Sequence, residues 1–188
     1  MNPTTPENIS ERVREFCSEI NDACSPTFVD VEPFHNAGLN ECFYNVRDYV
    51  ALNGGHQVFG WIIWEWTSFF IEAEYHSIWA DNSMKFLDIT PKIDGEKRIL
   101  FLQDNKLKFD FNRPKWRDNK RKAVHPDVAI SNFLEAQRKL SQFKIHNSRP
   151  KGRGKELILR TEKEKRRFIR LQEEVVEKQK LFQEVVNA

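Results

Sequence analysis

The sequence predicts an α+β fold: N-terminal helices packed on an antiparallel sheet of about five strands, followed by C-terminal helices. Three observations predict it. Apolar residues recur at helical spacing over residues 9–24 and again over 43–50. Between residues 57 and 111 come short strand-like runs, apolar on both parities or alternating with a period of two, broken by Asp, Asn, Ser and Pro. Beyond residue 112 the alternation gives way to charged, helical patterning.

A chain of 188 residues suffices for one domain with an appendage. Residues 1–90 carry 4 Lys/Arg against 14 Asp/Glu, and residues 91–188 carry 26 against 14. The overall charge of +2 therefore conceals an acidic front half and a basic back half. That division places an α+β domain at 1–112 and a basic helical extension at 113–188. No run of 18 apolar residues exists, and the opening MNPTTPENIS lacks the basic-then-apolar layout of a secretory signal. The expectation is a soluble, cytoplasmic protein without a membrane partner. Cys17, Cys24 and Cys42 make no disulfide framework and no CxxC pair, so reduced thiols are expected.

In chain order, Thr5-Pro6 provides a helix start, with threonine as cap and proline at the first helical position. Ile9, Val13, Phe16, Cys17, Ile20 and Cys24 form one apolar face, on which both cysteines read as small core residues. Ser25-Pro26 ends that helix, and 28–31 is a short extended piece. The polar loop His35 to Glu41 runs into a second helix, capped by Asn40 and ended by Asn53-Gly54-Gly55. Cys42 falls in its first turn, where free N–H groups and the helix dipole stabilise a thiolate. The same N–H groups can hold the oxyanion of a tetrahedral intermediate.

Residues 57–66 are apolar on both parities, as in a central strand covered on both faces. Trp61, Trp64 and Trp66 accordingly read as core. Residues 69–91 form a hairpin: 69–76 alternate, Ala80-Asp81-Asn82-Ser83 is turn chemistry, and the return strand runs from Met84 to Ile89. Residues 98–102 and 107–111 make a further hairpin around 103–106. In the 69–91 hairpin His76 and Asp88 lie on neighbouring antiparallel strands and can sit side by side. With Cys42 upstream they compose a Cys-His-Asp site. The same pattern also fits an ordinary half-buried hairpin in which His76 is merely a satisfied polar residue.

This order, cysteine at a helix start, then histidine and aspartate on successive strands, resembles the papain-like and transglutaminase-like superfamily. The resemblance is carried by Tyr75-His76-Ser77-Ile78-Trp79 and Phe86-Leu87-Asp88-Ile89-Thr90-Pro91 and covers residues 34–91. It implies Cys42 as nucleophile, His76 as its base and Asp88 as the group orienting the imidazole. Asn36, six residues before Cys42, stands where papain-like enzymes carry an oxyanion-hole glutamine. The implied activity is a thiol-dependent hydrolase or acyltransferase acting on an amide or ester, with a protein or peptide substrate. Protease, amidase, deamidase and transglutaminase-type outcomes all remain open. Glu72 and Glu74 beside His76 could select a basic substrate or be solvated strand carboxylates.

Other chemistries have weaker patterns. His35, Cys42, His56 and His76 could converge on zinc, but no pair has a short ligand spacing. No Gly-rich phosphate loop or dinucleotide fingerprint exists, so no cofactor is expected, and Lys151 to Lys155 reads as basic linker. Residues 112–122 form a basic loop with Trp116, and Pro126-Asp127 starts a helix whose Val128, Ile130, Phe133, Leu134, Leu140 and Phe143 can dock on the sheet. A linker over 147–155 then leads into a long helix over 156–186. Its seam of Ile158, Phe168, Leu171, Val175, Leu181 and Val185 suits a helical protein partner, a homodimer or the domain surface. The rival function is a nucleic-acid-associated or scaffold protein, with the lysines and arginines of 113–155 on phosphates and Trp116 on a base. More simply, the acidic and basic halves could complement each other.

Overall fold

A computed structural model describes residues 3–188. The architecture is α+β, with four helices and a six-stranded antiparallel sheet among the described residues, and a small separate hairpin. In chain order the elements are α1 (Glu11–Ile20), β1 (Thr27–Asp30), α2 (Cys42–Asn53), β2 (His56–Trp66), β3 (Phe70–Ala80) and β4 (Phe86–Leu87). There follow β5 (Arg98–Gln103), β6 (Lys120–Ala123), α3 (Val128–His146), β7 (Ser148–Lys151), β8 (Gly154–Leu157) and α4 (Glu162–Val186). Among the described residues, no helix is long and apolar enough to cross a membrane.

The sheet order is β1-β5-β2-β3-β4, with β6 also paired to β3. β2 is central, as its two apolar parities require. Trp61 and Ile63 join Val13, Phe16 and Cys17 of α1 in the core on one face. Val58 and Ile62 join Val29, Ile78, Ile99 and Phe101 on the other. At Gly60 there is no room for a side chain, because a Cβ would drive into the Leu102 carbonyl and the Phe101 ring.

Several boundaries differ from the sequence expectation, each for a physical reason. α1 starts after Ser10, whose Oγ accepts the Val13 N–H at 3.3 Å, and not at Thr5. Thr4 exchanges backbone bonds of 3.0 and 2.8 Å with Glu65, and Thr5 is held by Glu96, which keeps this segment out of the helix. The return strand after β3 shrinks to two residues, because a parallel bridge between Val31 and Asp88 takes over: Asp88 N–H donates to Asp30 at 2.9 Å, Glu32 N–H to Asp88 at 3.0 Å. Residues 107–111 are not a strand. β5 already has β1 on one edge and β2 on the other, so nothing is left for a hairpin partner. The chain turns at Asp104, and Leu107 and Phe109 are buried as side chains, with Phe109 stacked on Phe43 at 4.2 Å between ring centres.

The stretch 113–188 is more entangled with 1–112 than its charge implies. Inside the expected basic loop, β6 pairs with β3 over Phe70–Ala73. The expected linker is the β7–β8 hairpin, turned at Gly152 with φ +56°, a conformation that glycine adopts without steric cost. α3 is capped by Asp127, whose Oδ1 accepts the Ala129 N–H at 2.8 Å, and α4 by the reciprocal Thr161–Glu164 box. α4 packs on α3, with Phe168 of the expected seam stacked on Phe143 at 6.0 Å; Phe182, outside that seam, stacks on Phe133 at 5.0 Å and is buried where its neighbour Leu181 is exposed. Phe182 also reaches Trp66 and Phe69. Val128, expected on the docking face, is 67% exposed, and Ile158 precedes α4.

Candidate active site

The site forms where the outer edge of β3 is left unpaired. β6 covers Phe70–Ala73 and β4 covers Trp79–Ala80, so residues 74–78 between them have no strand on that side among the described residues. α2 packs against β3 there. Gln57 fastens the junction, donating from Nε2 to the Phe43 carbonyl and to Ser77 Oγ, both at 3.0 Å. At the other end of α2, the Trp79 indole donates to the Gly54 carbonyl at 2.8 Å.

Cys42 is the first residue of α2 and is buried. Asn40 takes φ +61° before the helix, and Glu41 stands at the cap position without a side-chain capping bond. Among the described residues, no acceptor receives the N–H of Cys42 or Phe43. Two free donors at the positive end of a helix dipole thus adjoin the thiol. Asn45, one turn further on and 1% exposed, holds the approach loop. Its side chain accepts the Gly38 N–H at 3.0 Å, donates to the Gly38 carbonyl at 2.8 Å and reaches Thr90 Oγ1 at 3.2 Å.

On β3, buried His76 places Nε2 2.9 Å from Oδ2 of fully buried Asp88. The other Asp88 oxygen accepts the Thr90 N–H at 2.9 Å. A third group, Lys92, brings its ammonium within 2.6 Å of Asp88 Oδ2 and 3.4 Å of His76 Nε2. Burial and Lys92 both work against the imidazolium, but Asp88 and the negative charge of a Cys42 thiolate outweigh them and hold His76 at about 9, above its ordinary 6.5. Burial also works against the Asp88 carboxylate, yet His76 and Lys92 hold it down at about 2.

Cys42 and His76 line one cavity of about 630 Å³, with Trp64, Glu74 and Thr90 on its wall and Lys155 from β8. Of the four residues that sequence alone nominated, three therefore meet: Asp88 holds the histidine, and the histidine and cysteine share the cavity. Asn36 does not join them. It lies in an exposed turn outside the lining. Lys92 and Asn45 were missed, although Lys92 lies four residues after Asp88. Among the conceivable zinc ligands only Cys42 and His76 come to the cavity, and no group of three His, Cys, Asp or Glu is arranged to hold a metal among the described residues. Burial pushes the Cys17 thiol up to about 12, as suits a core residue, and all three cysteines are unpaired.

Comparison with protein-family models, with curated proteins and with solved structures finds no match to this chain.

Proposed function

We propose that this protein is a cytoplasmic thiol-dependent hydrolase or acyltransferase of the papain/transglutaminase-like kind, acting on an amide or ester of a protein or peptide. The observation that carries the reading is the shared cavity of Cys42, at the first position of α2, and His76, oriented by Asp88. Nε2 of His76 is engaged by Asp88, so Nδ1 is the nitrogen left to take the thiol proton. The thiolate then attacks the carbonyl carbon, and the carbonyl electron pair moves onto oxygen, toward the free N–H groups of Cys42 and Phe43. Collapse returns that pair, expels the amine or alcohol with the proton from His76, and leaves a thioester on Cys42. Water or an amine, deprotonated by His76, resolves the thioester and frees the thiol. Three unpaired thiols support placement in a reducing compartment.

A nucleic-acid role for 113–155 has less support. Arg121, Lys122 and Arg153 pair with Glu72, Glu19 and Asp48, so part of the basic half is already neutralised by the acidic half.

The test is the pH dependence of iodoacetamide alkylation at Cys42, resolved by mass spectrometry, with His76→Ala and Asp88→Asn alongside. Fast labelling below pH 7 that disappears in His76→Ala is expected of an activated thiolate. An ordinary thiol profile, unchanged by His76→Ala, would sink the enzymatic reading.

A further inference from the structure

Glu72, Glu74 and His76 alternate along β3 with their side chains on one face. Glu74 therefore stands about 7 Å along the strand from His76. The two carboxylates have different surroundings. Glu72 is occupied within the fold: Oε1 accepts Asn119 Nδ2 at 3.0 Å and the Arg121 guanidinium lies against Oε2. Glu74 pairs with no lysine or arginine among the described residues. Its Oε2 accepts the Trp64 indole N–H at 2.9 Å, and Oε1 takes no bond from the described residues. That single bond sets a carboxylate at the edge of a half-buried indole, on the wall of the cavity that holds Cys42 and His76.

The cations on the lining are each engaged. Lys92 is held by Asp88, Arg117 lies over the Tyr75 ring at 5.4 Å and Lys155 over Trp116 at 5.5 Å. The remaining carboxylates differ from Glu74 as well: Glu41 meets Arg153, Glu96 accepts from Thr5, and Asp94 is exposed. A carboxylate without a counter-charge, partly removed from water and fixed at the edge of an indole, is an arrangement that takes an organic cation by ion pairing, with the ring beside it offering apolar cover.

We propose that Glu74 and Trp64 form a subsite for a cationic group, so that the substrate carries a lysine- or arginine-like side chain next to the acyl group that Cys42 attacks. This deepens the acyl-transfer reading and rests on it. Glu74 is a specificity-determining residue here, with no part in the chemical step.

The experiment measures the rates at which Cys42 of the whole protein reacts with three methanethiosulfonates: 2-aminoethyl (cationic), methyl (neutral) and 2-sulfonatoethyl (anionic). In each the thiolate displaces methanesulfinate and forms a disulfide, so the leaving group is constant. Rates are divided by those of N-acetylcysteine amide. The cation-to-neutral ratio at Cys42 should exceed the free-thiol ratio by about fivefold to tenfold. In Glu74→Gln, which preserves the acceptor for Trp64, it should fall to within about twofold of the free thiol, and Glu74→Asp should restore part of it. A ratio at or below the free-thiol value, a preference for the anionic reagent, or a ratio unmoved by Glu74→Gln each overturns the subsite. Failure of the enzymatic reading shows elsewhere, as a neutral-reagent pH profile indifferent to His76→Ala.

Discussion

Asp88 meets His76 on a diagonal. The β3–β4 register sets Trp79 opposite Leu87 and Ala80 opposite Phe86. Continued one step, it places Asp88 opposite Ile78, two residues along from His76 and on the same face. The carboxylate spans that offset to reach Nε2 at 2.9 Å. Its backbone meanwhile belongs to the bridge with β1 and not to the ladder with β3.

That contact should give stability a two-sided pH dependence. His76 stands at about 9 in the folded chain against 6.5 when free, so folding favours the charged ring. Its contribution is complete below 6.5 and is lost as pH rises through about 9. Asp88 stands at about 2 against 3.8, so its contribution is complete above 3.8 and is lost as pH falls through about 2. Urea unfolding followed against pH should show a plateau between these windows and a decline on each side. His76→Gln should flatten the alkaline decline; a decline that persists unchanged would assign it to other groups.

Lys92 opposes the imidazolium while supporting the carboxylate. In Lys92→Met, His76 should therefore titrate at higher pH than in the unmutated chain, and Asp88 should lose part of its depression. Proton NMR of the His76 ring across the alkaline range reads the first effect. A downward shift would mean that Lys92 acts on His76 chiefly through Asp88.

Asn45 ties the loop before Cys42 to the turn after Asp88. Asn45→Ala strips three bonds from a buried position and leaves the Gly38 amide without its partner. A loss of about 1–3 kcal/mol is expected, measurable by chemical denaturation. Cys42 labelling should also lose part of its dependence on His76, since the loop before Cys42 is no longer tied to the turn after Asp88. Unchanged stability would mean that the loop is held by other contacts.

Phe182 anchors α4 to both α3 and the sheet, fully buried between Phe133, Trp66 and Phe69. Phe182→Ala should cost about 3–5 kcal/mol. Because Phe70 shares the cluster, the loss should appear in the same unfolding transition as the sheet. A separate low-temperature transition would instead show the helical pair to be an independent unit.

Sequence patterning revealed the elements whose side chains face one environment throughout. The two apolar parities of β2 implied cover on both faces, and Asn53-Gly54-Gly55 ended α2 as expected. His76 and Asp88 were visible because both are polar residues embedded in an apolar alternation. Elsewhere the decisive contact was remote. Lys120 to Lys122 read as the end of a basic loop, yet Arg121 and Lys122 find Glu72 and Glu19, far away in the chain, and the segment becomes β6. Leu107 and Phe109 alternate like a strand but serve as side-chain cover for the aromatic cluster at Phe43, since β5 has no edge to offer. Asn45 resembles any polar residue in a helix; only the fold brings Gly38 and Thr90 to it. Asn36 followed from a family pattern, and the local turn points it elsewhere.

The bridge between β1 and Asp88 has a mechanical consequence. The segment that accepts and donates those backbone bonds continues through Phe34, whose N–H reaches the Ile89 carbonyl at 3.0 Å, and arrives at Cys42 eight residues later. The chain that carries the thiol is thus moored alongside the chain that carries the acid. Breathing motions that lift one should carry the other in step, keeping the spacing between Cys42 and Asp88 nearly constant while the surrounding loops fluctuate. Hydrogen exchange would register that as a single protection factor shared by the amides of Glu32, Phe34 and Asp88.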